Sequence, residues 1–198
     1  MNTNLKSKRI AAVTGSTGAI GQAIANSLAK MDYHVILLVR DPKKADQTIQ
    51  NISNSVDNAN LEYRKVDLSV QSSIQTLVNS WKGPLDILVN NAAISPKERL
   101  ETPQGIELQF ATNVMGYFWM MHFFSDILID SAPARIVNVA SYWAGGLQLD
   151  DLEFKKRAYH NHDAYRQSKQ ANRMLSAYFA TLYDPSNLTV NSCHPGDV

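Results

Sequence analysis

The chain has 198 residues, 44% hydrophobic and 19% charged, with a formal net charge of +1. That is the make-up of an ordinary globular protein large enough to bury a core without crosslinks, so one unit over residues 1–198 is expected. The near-neutral charge gives no reason to expect nucleic acid or an anionic membrane as partner, and the single cysteine, Cys193, excludes an internal disulfide framework.

The opening MNTNLKSKR is polar, with Lys6, Lys8 and Arg9, and lacks the apolar core of a secretory signal; a cytoplasmic location is the expectation. No run of about eighteen apolar residues is present to span a bilayer. RIAAVT (9–14) then reads as a buried strand and 19–31 as a helix. HVILLV (34–39) is a second strand, followed by a polar helical stretch over 42–54. LEYRKV (61–66) alternates as a third strand ending at Asp67, with Ser69 as the expected N-cap of a helix over 71–82. LDILVN (85–90) is a fourth strand, 104–130 a long helix and RIVNVA (135–140) a fifth strand. A loop over 143–162, long enough to border a site, leads to a helix over 163–183 and a sixth strand, LTVNSC (188–193). Apolar strands alternating with helices predict an α/β fold, a doubly wound parallel sheet covered on both faces.

TGSTGAIG (14–21) lies between the first strand and the first helix. A backbone free of side chains there lets a pyrophosphate approach the helix N-terminus, where unpaired N–H groups and the dipole favour negative charge. By itself the loop also fits a tight strand-to-helix turn. The second strand ends Val39-Arg40-Asp41. A carboxylate at this place suits the ribose 2′-hydroxyl of NAD, whereas a guanidinium suits the 2′-phosphate of NADP. Arg40 therefore favours NADP over NAD, with Asp41 as the competing group.

Tyr165 and Lys169 are four apart on a predicted helix and hence on one face. An ammonium beside a phenol stabilises the phenolate, which makes such a pair suited to acid–base work on a carbonyl or alcohol oxygen. The pair alone is common by chance. Ser141 closes the fifth strand, Asn113 sits inside an otherwise apolar helix, and Asn90-Asn91-Ala92-Ala93 ends the fourth strand at the same rim. Several polar groups converging on one edge of a sheet are poorly explained by packing.

Taken together, these motifs resemble the short-chain dehydrogenase/reductase family across essentially the whole chain. TGSTGAIG matches the family's TGxxx(G/A)xG, NNAA its NNAG with Ala93 in place of glycine, and His194-Pro195-Gly196 its Pro-Gly turn beside the nicotinamide. The resemblance implies a catalytic tetrad of Asn113, Ser141, Tyr165 and Lys169. In it Tyr165 is the general acid–base, Ser141 orients the carbonyl, Lys169 holds the ribose and favours the phenolate, and Asn113 supports a relay water. It further implies cofactor contacts from Gly15, Ser16, Thr17, Ala19, Ile20, Gly21, Arg40, Asp67 (to the adenine), Leu68, Asn90, Asn91, Ala92, Tyr165, Lys169, Pro195 and Gly196. The cofactor would be NADP, and the substrate a small carbonyl or alcohol.

Tyr165 follows Ser141 by 24 positions, and the chain around it reads AYRQSKQAN. This is similar to the AYxxSKxAN of the retinol-dehydrogenase-like branch, which implies lipophilic substrates. The chain stops at Gly196-Asp197-Val198, where family members continue into a further strand and a substrate-covering segment; that segment is expected to be lacking. YFWMMHFF (117–124) reads as a buried helix face or a subunit contact, leaving a homo-oligomer open. His160 and His162 have no third ligand at zinc-like spacing, so no metal is expected. GxxGxxG also fits a sugar-nucleotide epimerase, against which NNAA, Asn113 and Arg40 argue. A nucleotide-binding or sensor module without turnover is the remaining non-enzymatic reading.

Overall fold

The strands β1 (Ile10–Thr14), β2 (His34–Val39), β3 (Asn60–Lys65), β4 (Ile87–Asn90), β5 (Ala134–Val139) and β6 (Leu188–Cys193) form one sheet in a computed structural model that describes residues 8–196. Their order is β3-β2-β1-β4-β5-β6 and every pairing is parallel. The order reverses between β1 and β4, so the chain leaves their carboxyl ends in opposite directions and opens a crevice there.

The period of two along each strand divides the core. Ala11, Val13, Val35 and Leu37 face α1 (Ala19–Lys30) and α2 (Pro42–Ser53), which contribute Ala25, Leu28, Ala45 and Ile52. Ala12, Ile36, Leu88 and Ile136 face the other way, toward α3 (Gln71–Asn79), α5 (Gly116–Asp130) and α6 (Asn161–Ala180). The expectation of two covered faces holds over β2, β1 and β4, whereas the edge strand β3 has no fully buried residue. At the β5–β6 end, Arg135 and Asn191 are exposed among the described residues, because α1 and α2 do not reach that far.

Two helix starts differ from expectation. The long helix begins as α4 (Leu108–Phe110), capped by the Glu107 carboxylate, which accepts from the N–H groups of Gln109 at 2.8 Å and Phe110 at 2.6 Å. It passes through a π-helical turn, Ala111–Met115, before continuing as α5. Ser69 does not cap α3; Val70 holds that position without a side-chain bond. The Ser69 hydroxyl instead donates to Asp67 at 2.7 Å, because a closer carboxylate outcompetes the helix end.

YFWMMHFF proves hydrophobic all round. Tyr117, Met120, Met121 and Phe124 are buried against the sheet, while His122 points outward and stacks on Phe118 at 5.8 Å. The first turn of α1 depends on two glycines. Gly15 has φ +64°, and a Cβ on it would stand 2.7 Å from Ala92 Cα. A Cβ on Gly21 would collide with the Gly15 carbonyl oxygen and stand 2.7 Å from Asn91 Nδ2. At Gly18 the nearest atom would be 3.6 Å away. Gly21→Ala is therefore expected to destabilise the chain by ~1–3 kcal/mol through overpacking. Gly18→Ala is expected to stay within about 0.5 kcal/mol of the parent. Thermal unfolding followed by circular dichroism checks both.

Candidate active site

At the β1–β4 crevice lies an open cleft of about 650 Å³. Its floor is the loop Gly15, Thr17, Gly18, Ala19, Ile20 and Gly21, its flanks are Arg40 with Asp67 and Leu68, and its far wall is Asn91 to Ile94. Thr14, fully buried, joins the two strand ends: its hydroxyl accepts from the N–H groups of Asn91 at 2.8 Å and Ala92 at 3.1 Å. The Asn91 amide donates to the carbonyls of Thr14 at 3.0 Å and Gly15 at 3.3 Å, fixing the loop against β4.

The helix α1 that follows has neither a side-chain cap nor an acidic residue in its first turn. Its N-terminal N–H groups thus face the cleft with no protein anion to satisfy them, the arrangement that favours a phosphate. The hydroxyl of Ser16, also fully buried, has no hydrogen-bond partner. Ser16 does not line the cleft, and it is the N–H groups of the α1 N-terminus that fit a dinucleotide pyrophosphate.

Arg40 is exposed at the rim of the same cleft. Asp41, the competing carboxylate, caps α2 by accepting from the Lys43 N–H at 3.0 Å. The cation at the strand end is left to meet a ligand while the anion serves the helix. Asp67 stands in the cleft wall with its carboxylate accepting from the Ser69 N–H at 2.9 Å and hydroxyl at 2.7 Å. Asn90 departs from expectation. It is fully buried and donates to the Asn138 side chain at 2.8 Å, because its place in the pleat turns it into the core rather than the cleft. It supports the site from behind and does not line it.

The tetrad residues gather beyond the cleft, at the carboxyl end of β5. Lys169 is 1% exposed, and its Nζ donates to the Val139 carbonyl at 2.7 Å. It lies 5.7 Å from the Tyr165 ring centroid, one turn away on α6, as the four-residue spacing predicts. Burial lowers the Lys169 pKa from 10.5 to about 8. No carboxylate pairs with it among the described residues. Ser141 is 7% exposed; its hydroxyl accepts from the Trp143 N–H at 3.1 Å, and its carbonyl accepts from Arg173 at 2.8 Å.

Asn113 sits in the π-helical turn, whose wider winding re-aims a side chain that a regular α-helix would carry elsewhere. Its amide accepts from the Ile94 N–H and donates to the Ile94 carbonyl, both at 2.9 Å, and also donates to Ser168 at 3.2 Å. Ser168 in turn donates to the Tyr165 carbonyl at 2.8 Å. One buried amide therefore ties the cleft wall to the helix bearing Tyr165. Pro195 and Gly196 are exposed past the end of β6, with the Gly196 N–H donating to His194 Nδ1 at 3.3 Å.

The loop after Ser141 borders the site only at its start. Residues 144–160 do not line the cleft; they strap the outside of α4 and α6. Gln167 accepts from the Gln148 N–H at 2.8 Å and from Arg157 at 2.9 Å, and Glu153 accepts from the Glu107 N–H at 3.0 Å. His160 and His162 are exposed, and no group of three metal-ligating side chains occurs among the described residues. Thr14 and Ser168 lie inside motifs quoted from the sequence but were given no role there, and Arg173 lies outside them. Their roles depend on backbone atoms that no side-chain motif announces.

A family model described as short chain dehydrogenase matches residues 9–198. Human retinol dehydrogenase 13 is 33% identical over 189 residues, covering 93% of this chain and 57% of that protein. Human polyprenol dehydrogenase is 33% identical over 201 residues, covering 96% and 61%. The chain thus spans about three fifths of the length of these curated relatives. Among solved structures, a Mycobacterium paratuberculosis protein superposes with a TM-score of 0.82 at 29% identity, covering 95% of this chain and 68% of that one. Pseudomonas aeruginosa RhlG in an NADP active-site complex gives 0.76 at 29% identity, with 96% and 73% covered. With its doubly wound sheet, its glycine loop and a family match from residue 9 onward, the chain belongs to the short-chain dehydrogenases.

Proposed function

We propose that the protein is an NADP-dependent oxidoreductase acting on a carbonyl or alcohol, with Tyr165 as its general acid–base. The observation that carries this reading is the buried Lys169 ammonium beside Tyr165, just past a cleft fitted to a dinucleotide. Bound NADP supplies or accepts the hydride. The chain supplies everything else: the α1 N-terminus receives the pyrophosphate, and Arg40 receives the 2′-phosphate. Lys169 holds the ribose, and its positive charge favours the phenolate of Tyr165, which exchanges a proton with the substrate oxygen. Ser141 presents its hydroxyl proton to that oxygen, since the bond it accepts from the Trp143 N–H leaves its own donor unused. Asn113 keeps Tyr165 and the cleft wall in register through Ser168 and Ile94.

The NADP preference is supported by the exposed guanidinium of Arg40 at the cleft and by the capping role of Asp41. It agrees with the NADP complex named for RhlG. The names of the retinol and polyprenol dehydrogenases support a lipophilic alcohol or aldehyde as substrate. The chain spans about three fifths of the length of these relatives and carries the residues proposed for both cofactor and proton transfer. No helix among the described residues is long and apolar enough to cross a membrane.

Three outcomes test the reading. Tyr165→Phe is expected to lower kcat by about 10²–10⁴-fold, with NADPH affinity, from fluorescence titration, nearly unchanged; full turnover in that variant would sink the mechanism. Arg40→Ala is expected to weaken NADPH binding by about tenfold or more, the worth of a charge-assisted hydrogen bond, and to leave NADH binding alone. The pH dependence follows from Lys169. Its folded pKa lies below its unfolded one, so the cost of burying the ammonium is fully present below about pH 8 and is relieved as pH rises. Ribose anchoring has the opposite sign: NADPH affinity should be greatest below about pH 8 and fall above it, as binding isotherms at several pH values would record.

A further inference from the structure

We propose that Tyr117 is a second phenol of the site, a positioning residue that holds the Lys169 ammonium where the ribose of the cofactor must find it. The inference rests on the function proposed above and concerns a residue none of the tetrad motifs includes.

Tyr117 is fully buried in the first turn of α5. That turn lies tight on the sheet side because Gly116 packs on Leu68: a Cβ at Gly116 would stand 2.8 Å from the Leu68 carbonyl oxygen. The Tyr117 side chain therefore arrives beneath the carboxyl end of β5. Its hydroxyl donates to the Val139 carbonyl at 3.4 Å, and Lys169 Nζ donates to the Tyr117 oxygen at 3.5 Å. Nζ is also 5.3 Å from the Tyr117 ring centroid, with the Tyr165 ring centroid at 5.7 Å. The ammonium, one phenol and one carbonyl thus form a closed triangle.

The physical need for it is plain. An ammonium taken out of water costs several kcal/mol unless its donors are met. Lys169 has three N–H groups and, among the described residues, no carboxylate. Val139 takes one donor and Tyr117 a second, and both aromatic rings add cation–π attraction. The third donor remains for a ribose hydroxyl. Burial pushes the Tyr117 phenol well above 10, so it stays neutral and can accept from Lys169 while donating to Val139. The other ionisable groups bearing on this triangle are Tyr165 and Arg173 on α6 and Cys193 on β6. β5 offers only backbone carbonyls and the Ser141 hydroxyl there.

The test uses the full-length protein and NADPH as probe, with dissociation constants measured by fluorescence titration across pH. Tyr117→Phe removes a single oxygen, and its thermal unfolding midpoint verifies the fold. The expected result is about a tenfold rise in Kd near neutral pH, the worth of one hydrogen bond to a charged donor. The loss of affinity with rising pH should also begin at lower pH than in the parent. In a Lys169→Met background the same substitution should change Kd by less than about twofold, since no ammonium remains to position. An unchanged Kd and pH dependence in Tyr117→Phe would overturn the inference, and so would an equal effect in the Lys169→Met background. Failure of the unsubstituted protein to bind NADPH overturns this inference together with the proposed function. Full turnover by Tyr165→Phe with a Tyr117-sensitive Kd overturns only the assignment of Tyr165.

Discussion

The hydroxyl of Thr14 holds the site together. It ends β1, and from there it bonds two consecutive N–H groups just past the end of β4, at the point where the sheet reverses its order. Together with the Asn91 amide, which donates to the Thr14 and Gly15 carbonyls, it fixes the glycine loop against the end of β4. Gly15 lies so close to Ala92 that no side chain could intervene. The cleft for the nucleotide is what remains above this junction once both chains have turned away from it.

From the junction, a layer of buried polar groups runs along the carboxyl edge toward β6. Asn90 bonds Asn138, which donates in turn to Ser176 at 2.8 Å; Lys169 bonds Val139; Asn113 bonds Ile94 and Ser168. An apolar layer would be cheaper to bury, but it could not fix side-chain directions as hydrogen bonds do. The cost is visible at Asn172, fully buried with neither amide atom partnered. A few residues away the core reverts to ordinary packing, with Trp81 against Phe124 at 5.1 Å in an edge-on pair. Other buried polar groups, such as Thr48 on α2 and Glu107 and Asp151 where the strap meets α4, serve helix ends and loops.

Strand and helix positions were legible from periodicity because each depends on neighbours within a few residues. So was the Tyr165–Lys169 face, a matter of helical spacing alone. The start of the long helix was not, since Glu107 caps it only when Glu153, distant in the chain, holds its backbone N–H. Nor was the fate of Ser69, drawn to Asp67 instead of the helix it precedes. Asn90 was expected as a cofactor contact because NNAA resembles the family's NNAG, yet the direction of its side chain depends on the pleat and on Asn138, 48 positions later.

By itself, the sequence determined the layered α/β plan, the glycine loop, the strand-end guanidinium and the shared helix face of Tyr165 and Lys169. These are local patterns, and local patterns survive without coordinates. Only the tertiary structure decided which of two adjacent charges, Arg40 or Asp41, was free to meet a ligand, and how a π-helical turn aims Asn113. It also decided that the Lys169 ammonium would direct one of its donors to Tyr117, 52 positions away. Contacts of that length are set by how helices seat on a sheet, and their geometry is not written in the spacing of residues along the chain.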